Sequence, residues 1–393
     1  MRFSYQRNIK LYKFYVIFSQ ALFIWPIEIL FMKEKGLSYT QIMLIDSFVA
    51  LVQLIAEIPS GFLADIIGCK KSVLYGLISE ILAYIVLVFS KNFYSCFIYA
   101  TFLALGLSLI SGADNALIYE SHIEINKHDE YKQTLRQSGF LKMFVLSLVT
   151  VISSYIYTLN MYLPYLCSVI FLVLACFIII QYKEVNTRPK EKNEEKSAIQ
   201  TIEYTIEFFS NNKRIRGIIL IAVLFSVIFS DTNYFLQIYM REVEFDVRYF
   251  GCVFFVCNMI SAFSFKYSKN IEKCLGENTK IISAISFLII YLTAAILYNY
   301  IGIGVLCLTR IGIATIRPLL NVAINDNLPS MSRAMLLSIV TAIIRISSAI
   351  FDPLIGMVID NFGIKGAFIG VISICIILIF VLLKGAFSSA ERR

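Results

Sequence analysis

Apolar runs long enough to cross a lipid bilayer follow one another along almost the whole chain, and this pattern limits the fold more than any motif does. A spanning helix needs roughly 20 predominantly apolar residues. About twelve such runs can be laid out, at residues 11–32, 39–62, 72–90, 94–118, 137–158, 161–182, 217–240, 249–266, 280–298, 300–323, 334–358 and 365–385. Short polar turns separate them, and one long polar stretch, 183–215, leaves six runs on either side. Hydrophobic residues make up 58% of the 393 and charged ones only 16%, with a mean hydropathy of +0.75, which excludes an ordinary soluble surface. The expected fold is therefore all-α and integral to the membrane, with 12 transmembrane helices. Residues 1–182 and 216–393 form its two halves, and a linker at 183–215 joins them.

Orientation follows from lysine and arginine. With the N-terminus inside, about 25 of the 35 basic residues fall on the cytoplasmic side and about six outside, an asymmetry that sets topology. Both termini are expected in the cytoplasm. The formal charge of +8 follows from this asymmetry and from attraction to anionic inner-leaflet lipid, so no nucleic-acid partner is read from it. Met1 to Lys13 is polar and basic, and the first apolar run is long with no small-residue cleavage site, so no cleaved leader is expected. The nine cysteines are scattered, and the two histidines, His122 and His128, fall in the polar loop after the fourth run. With no metal-ligand spacing, no paired nucleophile and base and no phosphate loop, neither a metal, a cofactor nor an enzyme activity is expected.

The polar residues inside the runs are the functional candidates, because an ionised group near the bilayer centre costs about 2.5 to 3.5 kcal/mol on insertion scales and is kept facing protein or water. The first run holds Pro26, which should kink it, and Glu28, which either lines a cavity or reaches the headgroups. In the second, Asp46, Gln53 and Glu57 follow at seven and four residues and share one helix face. Asp46 and Glu57 are candidate proton carriers, with a gate hydrogen bond as the equal alternative for Glu57. Glu80 in the third run has no evident partner. Asp114, at the end of the fourth, is a further proton candidate or a helix cap. In the second half, Asp231, Asn233, Tyr234 and Gln237 form a polar break in the seventh run. Arg310 and Arg345 lie near mid-membrane by count, and they either pair with Asp231 and Asp352 or touch substrate. The linker turns amphipathic at Ile199, Ile202, Ile206 and Phe209, as a helix lying on the membrane surface would.

The turn after the second run, Gly61-Phe62-Leu63-Ala64-Asp65-Ile66-Ile67-Gly68-Cys69-Lys70-Lys71, resembles the signature of the major facilitator superfamily, Gly-x-Leu-Ala-Asp-x-x-Gly-Arg-Lys. Gly61, Leu63, Ala64, Asp65, Gly68 and Lys70 match, while Ile66 and Cys69 replace arginines. Glu57-Ile58-Pro59-Ser60-Gly61 together with Ser111-Gly112-Ala113-Asp114-Asn115-Ala116-Leu117-Ile118-Tyr119 resembles a bacterial subgroup of that family, as does the series from Arg310 to Gly356. The loop from Lys266 to Lys280 is a degenerate echo of the first signature.

The resemblance implies two pseudo-symmetric six-helix bundles in a bacterial plasma membrane, alternating access, and a gate formed by Gly61, Asp65, Gly68, Lys70 and Lys71. Asp65 and Lys70 would pair with the eleventh helix. The family's mid-helix arginine is missing around Phe102, and its antiporter glycine-proline pattern is missing from the fifth helix. The function expected is proton-coupled efflux of a small amphipathic or drug-like molecule. Uptake of a small nutrient is the alternative, and a non-transporting membrane sensor a more distant one. The expected partners are a small-molecule substrate, protons and membrane lipid, with the protein acting as a monomer.

Overall fold

In a computed structural model, the structure describes residues 2–184, 208–230, 232–329 and 332–390. The amphipathic stretch expected at Ile199, Ile202 and Ile206 lies outside the described residues, as does Asp231. All the regular structure among the described residues is helical. In chain order the helices are α1 Arg2–Gln20, α2 Glu28–Glu34, α3 Tyr39–Ile67, α4 Cys69–Phe89, α5 Phe93–Ile110, α6 Ala113–Glu124, α7 His128–Leu159 and α8 Leu163–Ile180, followed by α9 Lys213–Ser230, α10 Thr232–Glu242, α11 Phe250–Leu275, α12 Thr279–Leu297, α13 Tyr300–Cys307, α14 Thr309–Asp326 and α15 Arg333–Ala390.

Among the described residues, ten helical stretches are long and apolar enough to cross a membrane. The difference from twelve apolar runs has two local causes. The first run is not kinked at Pro26 but fully interrupted, because Ala21 to Ile27 leave the helix between α1 and α2. The last two runs are two helices that meet inside α15 with no loop between them, at Gly363, whose φ of 68° departs from helical geometry. Only a residue without a Cβ turns the backbone that way at little cost.

Contacts divide the chain into two compact units. One comprises Met1–Leu37, Leu44–Lys190 and Asp246–Phe255, and the other Ser38–Met43, Glu191–Phe245 and Val256–Arg393. In the first, α4 and α5 run together as a close pair. A Cβ on Gly76 would stand 2.9 Å from the Gly106 carbonyl oxygen, and one on Gly106 would stand 2.9 Å from the Gly76 carbonyl oxygen. Ser72 and Ser79 donate across the same seam to the carbonyls of Leu109 and Phe102 at 2.7 and 2.6 Å. Lipid is as apolar as leucine, so close backbone approach and hydroxyl donors hold such pairs where the hydrophobic effect cannot. The second unit packs around rings: Phe235, Tyr291 and Phe368 are buried with centroids 5.3 to 5.9 Å apart.

Helix ends are capped from within each unit. Asn92 accepts from the Ser95 N–H at 2.9 Å to start α5, and Asn299 accepts from the Ile301 N–H at 3.0 Å to start α13. Within the second unit, Asp360 accepts from the N–H groups of Tyr39 and Thr40 and from the Thr40 hydroxyl, at 2.9, 2.8 and 2.6 Å. The first turn of α3 is thereby tied to the last turn before Gly363.

Candidate functional site

The interruptions within the apolar runs place the candidate side chains. Three are described: Ala21–Ile27 in the first run, Ser111–Gly112 in the fourth and Leu308 in the tenth. Backbone polar groups freed inside lipid must be satisfied by protein. At the first interruption the Phe23 N–H donates to Ser168 Oγ on α8 at 2.9 Å, and the Ser153 hydroxyl on α7 donates to the Phe23 carbonyl. Both serines are fully buried. At the second, Gly112 has φ 80° and α6 restarts at once.

Glu28 opens α2, directly after the first interruption. Its Oε1 accepts from the Tyr99 hydroxyl on α5 at 3.2 Å, and Asp46 on α3 lies within electrostatic reach. Tyr84, Tyr99 and Tyr165 close around this carboxyl. Tyr84 stands 6.5 Å, centroid to centroid, from each of the other two, and Phe31 packs on Tyr165 at 4.2 Å. The structure thus joins two residues that the sequence placed on separate helices. Glu57 is not part of this group. It is exposed on the other half of α3, eleven residues on, about 16 Å along the axis.

Asp114 is buried in the first turn of α6, where its Oδ1 accepts from the Asn115 N–H at 2.6 Å. The positive end of a helix favours a carboxylate there. Lys142 on α7 and the phenols of Tyr12, Tyr15, Tyr131 and Tyr182 surround it electrostatically. Glu80 is buried on the α4–α5 seam, where its Cγ would be 2.8 Å from a Cβ on Gly106.

The signature turn is held inside the first unit. Gly68, with φ 95°, caps α4, and the Glu184 carboxylate sits where a Cβ would stand. The Lys70 N–H donates to Glu184 Oε1 at 3.1 Å, and Lys70 Nζ donates to the Ile180 and Tyr182 carbonyls at 2.8 and 2.7 Å. A lysine on the last carbonyls of a helix suits both its donors and the negative end of the dipole. Asp65 and Lys71 are exposed, and a Cβ on Gly61 would meet nothing within 4 Å.

In the second unit Asn233 lies in the first turn of α10, and Arg310 lies in the first turn of α14, directly after Leu308. Arg310 Nη2 donates to Asn233 Oδ1 at 2.6 Å. Tyr234 and Arg345 are half-buried. The Ser230 hydroxyl donates to Asp352 at 3.1 Å, and Ser226 pairs with Ser348 at 3.2 Å, joining α9 to α15.

Several partners had no readable signal. Fully buried Asn8 donates to Ser121 Oγ and to the Lys183 carbonyl, and accepts from the Lys183 N–H, tying α1 to α6 and to the end of α8. His122, expected in a polar loop, is instead buried in α6, contacting the Ile118 carbonyl at 2.9 Å and the Thr134 hydroxyl at 3.1 Å. The fourth apolar run continues as helix beyond residue 118, which carries His122 inward with it. Among the described residues no group of histidines, cysteines and acids could hold a metal ion.

Interrupted membrane helices with polar side chains in the turn after each break are the architecture of a solute carrier. The sequence pattern of the Major Facilitator Superfamily matches residues 13–309, and the chain belongs to that family. It is a multi-pass membrane transport protein and not an enzyme. An uncharacterized MFS-type transporter, YxaM of Bacillus subtilis (strain 168), is 25% identical over 256 residues, covering 63% of this chain and 63% of that protein. The match thus spans less than two thirds of that relative. Among solved structures the fold is similar to the nucleoside transporter NupG (TM-score 0.73, 10% identity, 97% and 98% of the two chains). It is also similar to a D-xylose-proton symporter (TM-score 0.68, 12% identity, 97% of each chain).

Proposed function

We propose that this protein is a proton-coupled secondary transporter that exports a small amphipathic molecule across a bacterial plasma membrane by alternating access. In this reading the chain crosses twelve times as two pseudo-symmetric halves of six, with both termini cytoplasmic, and acts as a monomer. The supporting observation is the distribution of membrane-embedded charge: Glu28, Asp46, Glu80 and Asp114, with Lys142 beside Asp114, belong to one unit, and Arg310, Arg317 and Arg345, joined by buried Asp352, to the other. Carboxyls held among tyrosines inside a membrane bundle suit proton uptake and release, as intramembrane acids in proton relays do. We assign proton handling to the Glu28–Asp46–Tyr99 group and to Asp114. Gly61, Asp65, Gly68, Lys70 and Lys71 form the cytoplasmic gate, with Glu57 at its edge, and Asn233, Tyr234, Arg310 and Arg345 contact substrate. Asp231 is assigned to the same group from its place in the sequence.

The test is acridine-dye fluorescence in everted vesicles energised to a proton gradient, with cationic, zwitterionic, anionic and neutral solutes added one at a time. A solute should dissipate the gradient with wild type, and Glu28→Gln, Asp46→Asn and Asp114→Asn should each abolish the response. If no solute dissipates it, proton-linked export is wrong, and uptake or proton-independent diffusion takes its place.

A further inference from the structure

Resting on the reading of the chain as a small-molecule transporter, we infer that its solute carries a carboxylate and that Arg310 receives it. A guanidinium keeps its proton at any physiological pH, so a positive charge in a membrane-embedded bundle has to be answered by something. What answers Arg310 is incomplete. One Nη donates to the neutral amide oxygen of Asn233 at 2.6 Å. The Cys257 thiol lies within hydrogen-bond reach of it, a weak sulfur partner that also lies against the Cys307 thiol. Its Nε–H is buried and meets no acceptor. The ion pairs found among the described residues, Lys127 with Glu130 and Arg248 with Asp246, are both elsewhere and exposed.

A second cation sharpens the case. Arg317 follows Arg310 by seven residues on α14, so it lies on the same face about 10 Å along. It is exposed, its guanidinium lies 5.9 Å from the centre of the Phe229 ring, and it feels the charge of Arg310. Two like charges on one helix face repel, and an anion bound beside them removes that repulsion.

The geometry selects the class of anion. The Nε and one Nη of a guanidinium present parallel N–H bonds that match the two oxygens of a carboxylate. Asn233 uses its oxygen on Arg310, which leaves its NH2 to donate to the same ligand. Arg317, about 10 Å along the helix, is too far to grip the same headgroup, so Arg310 with one neutral amide suits a monoanion better than a phosphate dianion. The buried Phe229, whose ring packs on Phe287 at 5.4 Å, supplies an apolar wall for the rest of an amphipathic acid.

The test is thermal unfolding of the purified full chain in detergent with sodium acetate, benzoate, decanoate, glutamate or citrate. Benzamide, benzylamine and phenyl phosphate serve as the neutral, cationic and phosphate counterparts. At least one carboxylate should raise the midpoint where benzamide does not. Arg310→Gln should weaken that carboxylate on the order of 30-fold or more, and Arg310→Lys should recover part of the loss. Arg248→Gln, at an exposed arginine paired with Asp246 and outside the site, should keep the response. In wild type, the same carboxylate should shield Arg310 from phenylglyoxal, read by peptide mass, which guards against a variant that does not fold.

The inference is overturned if no carboxylate stabilises or shields, if Arg310→Gln binds as wild type does, or if phenyl phosphate is preferred. It also falls if Arg248→Gln loses the response as fully as Arg310→Gln, since the effect would then not belong to Arg310. If a cation dissipates the vesicle gradient while carboxylates fail to bind, the transport reading stands without this inference. If a carboxylate binds and no solute dissipates the vesicle gradient, the inference stands and proton-linked export falls.

Discussion

Ser153 and Ser168 show how single hydroxyls make a break in a membrane helix tolerable. Phe23 has left the helix, and its N–H and carbonyl are taken up by these two side chains. Removing either leaves a buried backbone group unsatisfied, at a cost of about 1 to 3 kcal/mol. Ser153→Ala and Ser168→Ala are therefore expected to lower the unfolding midpoint of the detergent-purified protein clearly. Ser373→Ala, at an exposed hydroxyl that only bonds back to Ile369 in its own helix, should leave the midpoint unchanged. Equal midpoints for all three would show that the break needs no such support. At this scale the sequence was readable for one partner of each pair. Pro26 marks a disturbed helix, yet the serines that complete it lie 130 and 145 residues away. Lys70 was legible from its motif, but the carbonyls of Ile180 and Tyr182 that it reaches carry no sequence signal, because every residue has a carbonyl.

At the scale of elements, helix identity was legible almost everywhere, since long apolar runs leave the backbone no other way to satisfy itself in lipid. Where a helix stops was less so. Ser111-Gly112 divides α5 from α6 although the surrounding run stays apolar, and His122 is buried because the helix resumes. The α4–α5 seam was not read as a contact, because small residues such as Gly76 and Gly106 are common in membrane helices and do not name their neighbour. It now yields a prediction. A side chain on Gly106 would drive into Glu80 Cγ at 2.8 Å and into the Gly76 backbone at 2.9 Å, and backbone cannot step aside as a flexible side-chain tip can. Gly106→Leu should fail to accumulate in membranes or unfold at markedly lower temperature. Gly139→Leu, where a Cβ meets nothing within 4 Å, should behave as wild type in both measurements.

For the whole molecule, composition settled the solvent, and charge asymmetry predicts the sidedness that any transport cycle depends on. The chain contains its own probes for that. Cys252 and Cys274 are both exposed on α11 and stand 22 residues apart, about 33 Å along the axis, enough to reach from one surface of the bilayer to the other. In single-cysteine versions, a membrane-impermeant maleimide should label Cys252 in intact cells and Cys274 in everted vesicles. The reverse pattern would invert the topology and place both termini outside. Which solute fits could not be read at this scale, because Arg310 and Asn233 come from different helices and the sequence gives no sign that they meet.

The hydrogen bonds at Phe23 also bear on how the protein is made. The N–H of Phe23 finds its acceptor only at Ser168, which leaves the ribosome 145 residues later. At about 5 to 20 residues per second, that is a delay of roughly 7 to 30 s. Throughout that interval the first crossing has a backbone that it cannot complete by itself. The nascent chain must keep this segment beside water or beside the insertion machinery until α8 arrives. The first helix to be synthesised is thus among the last of its unit to be finished, and the unit closes around its own beginning.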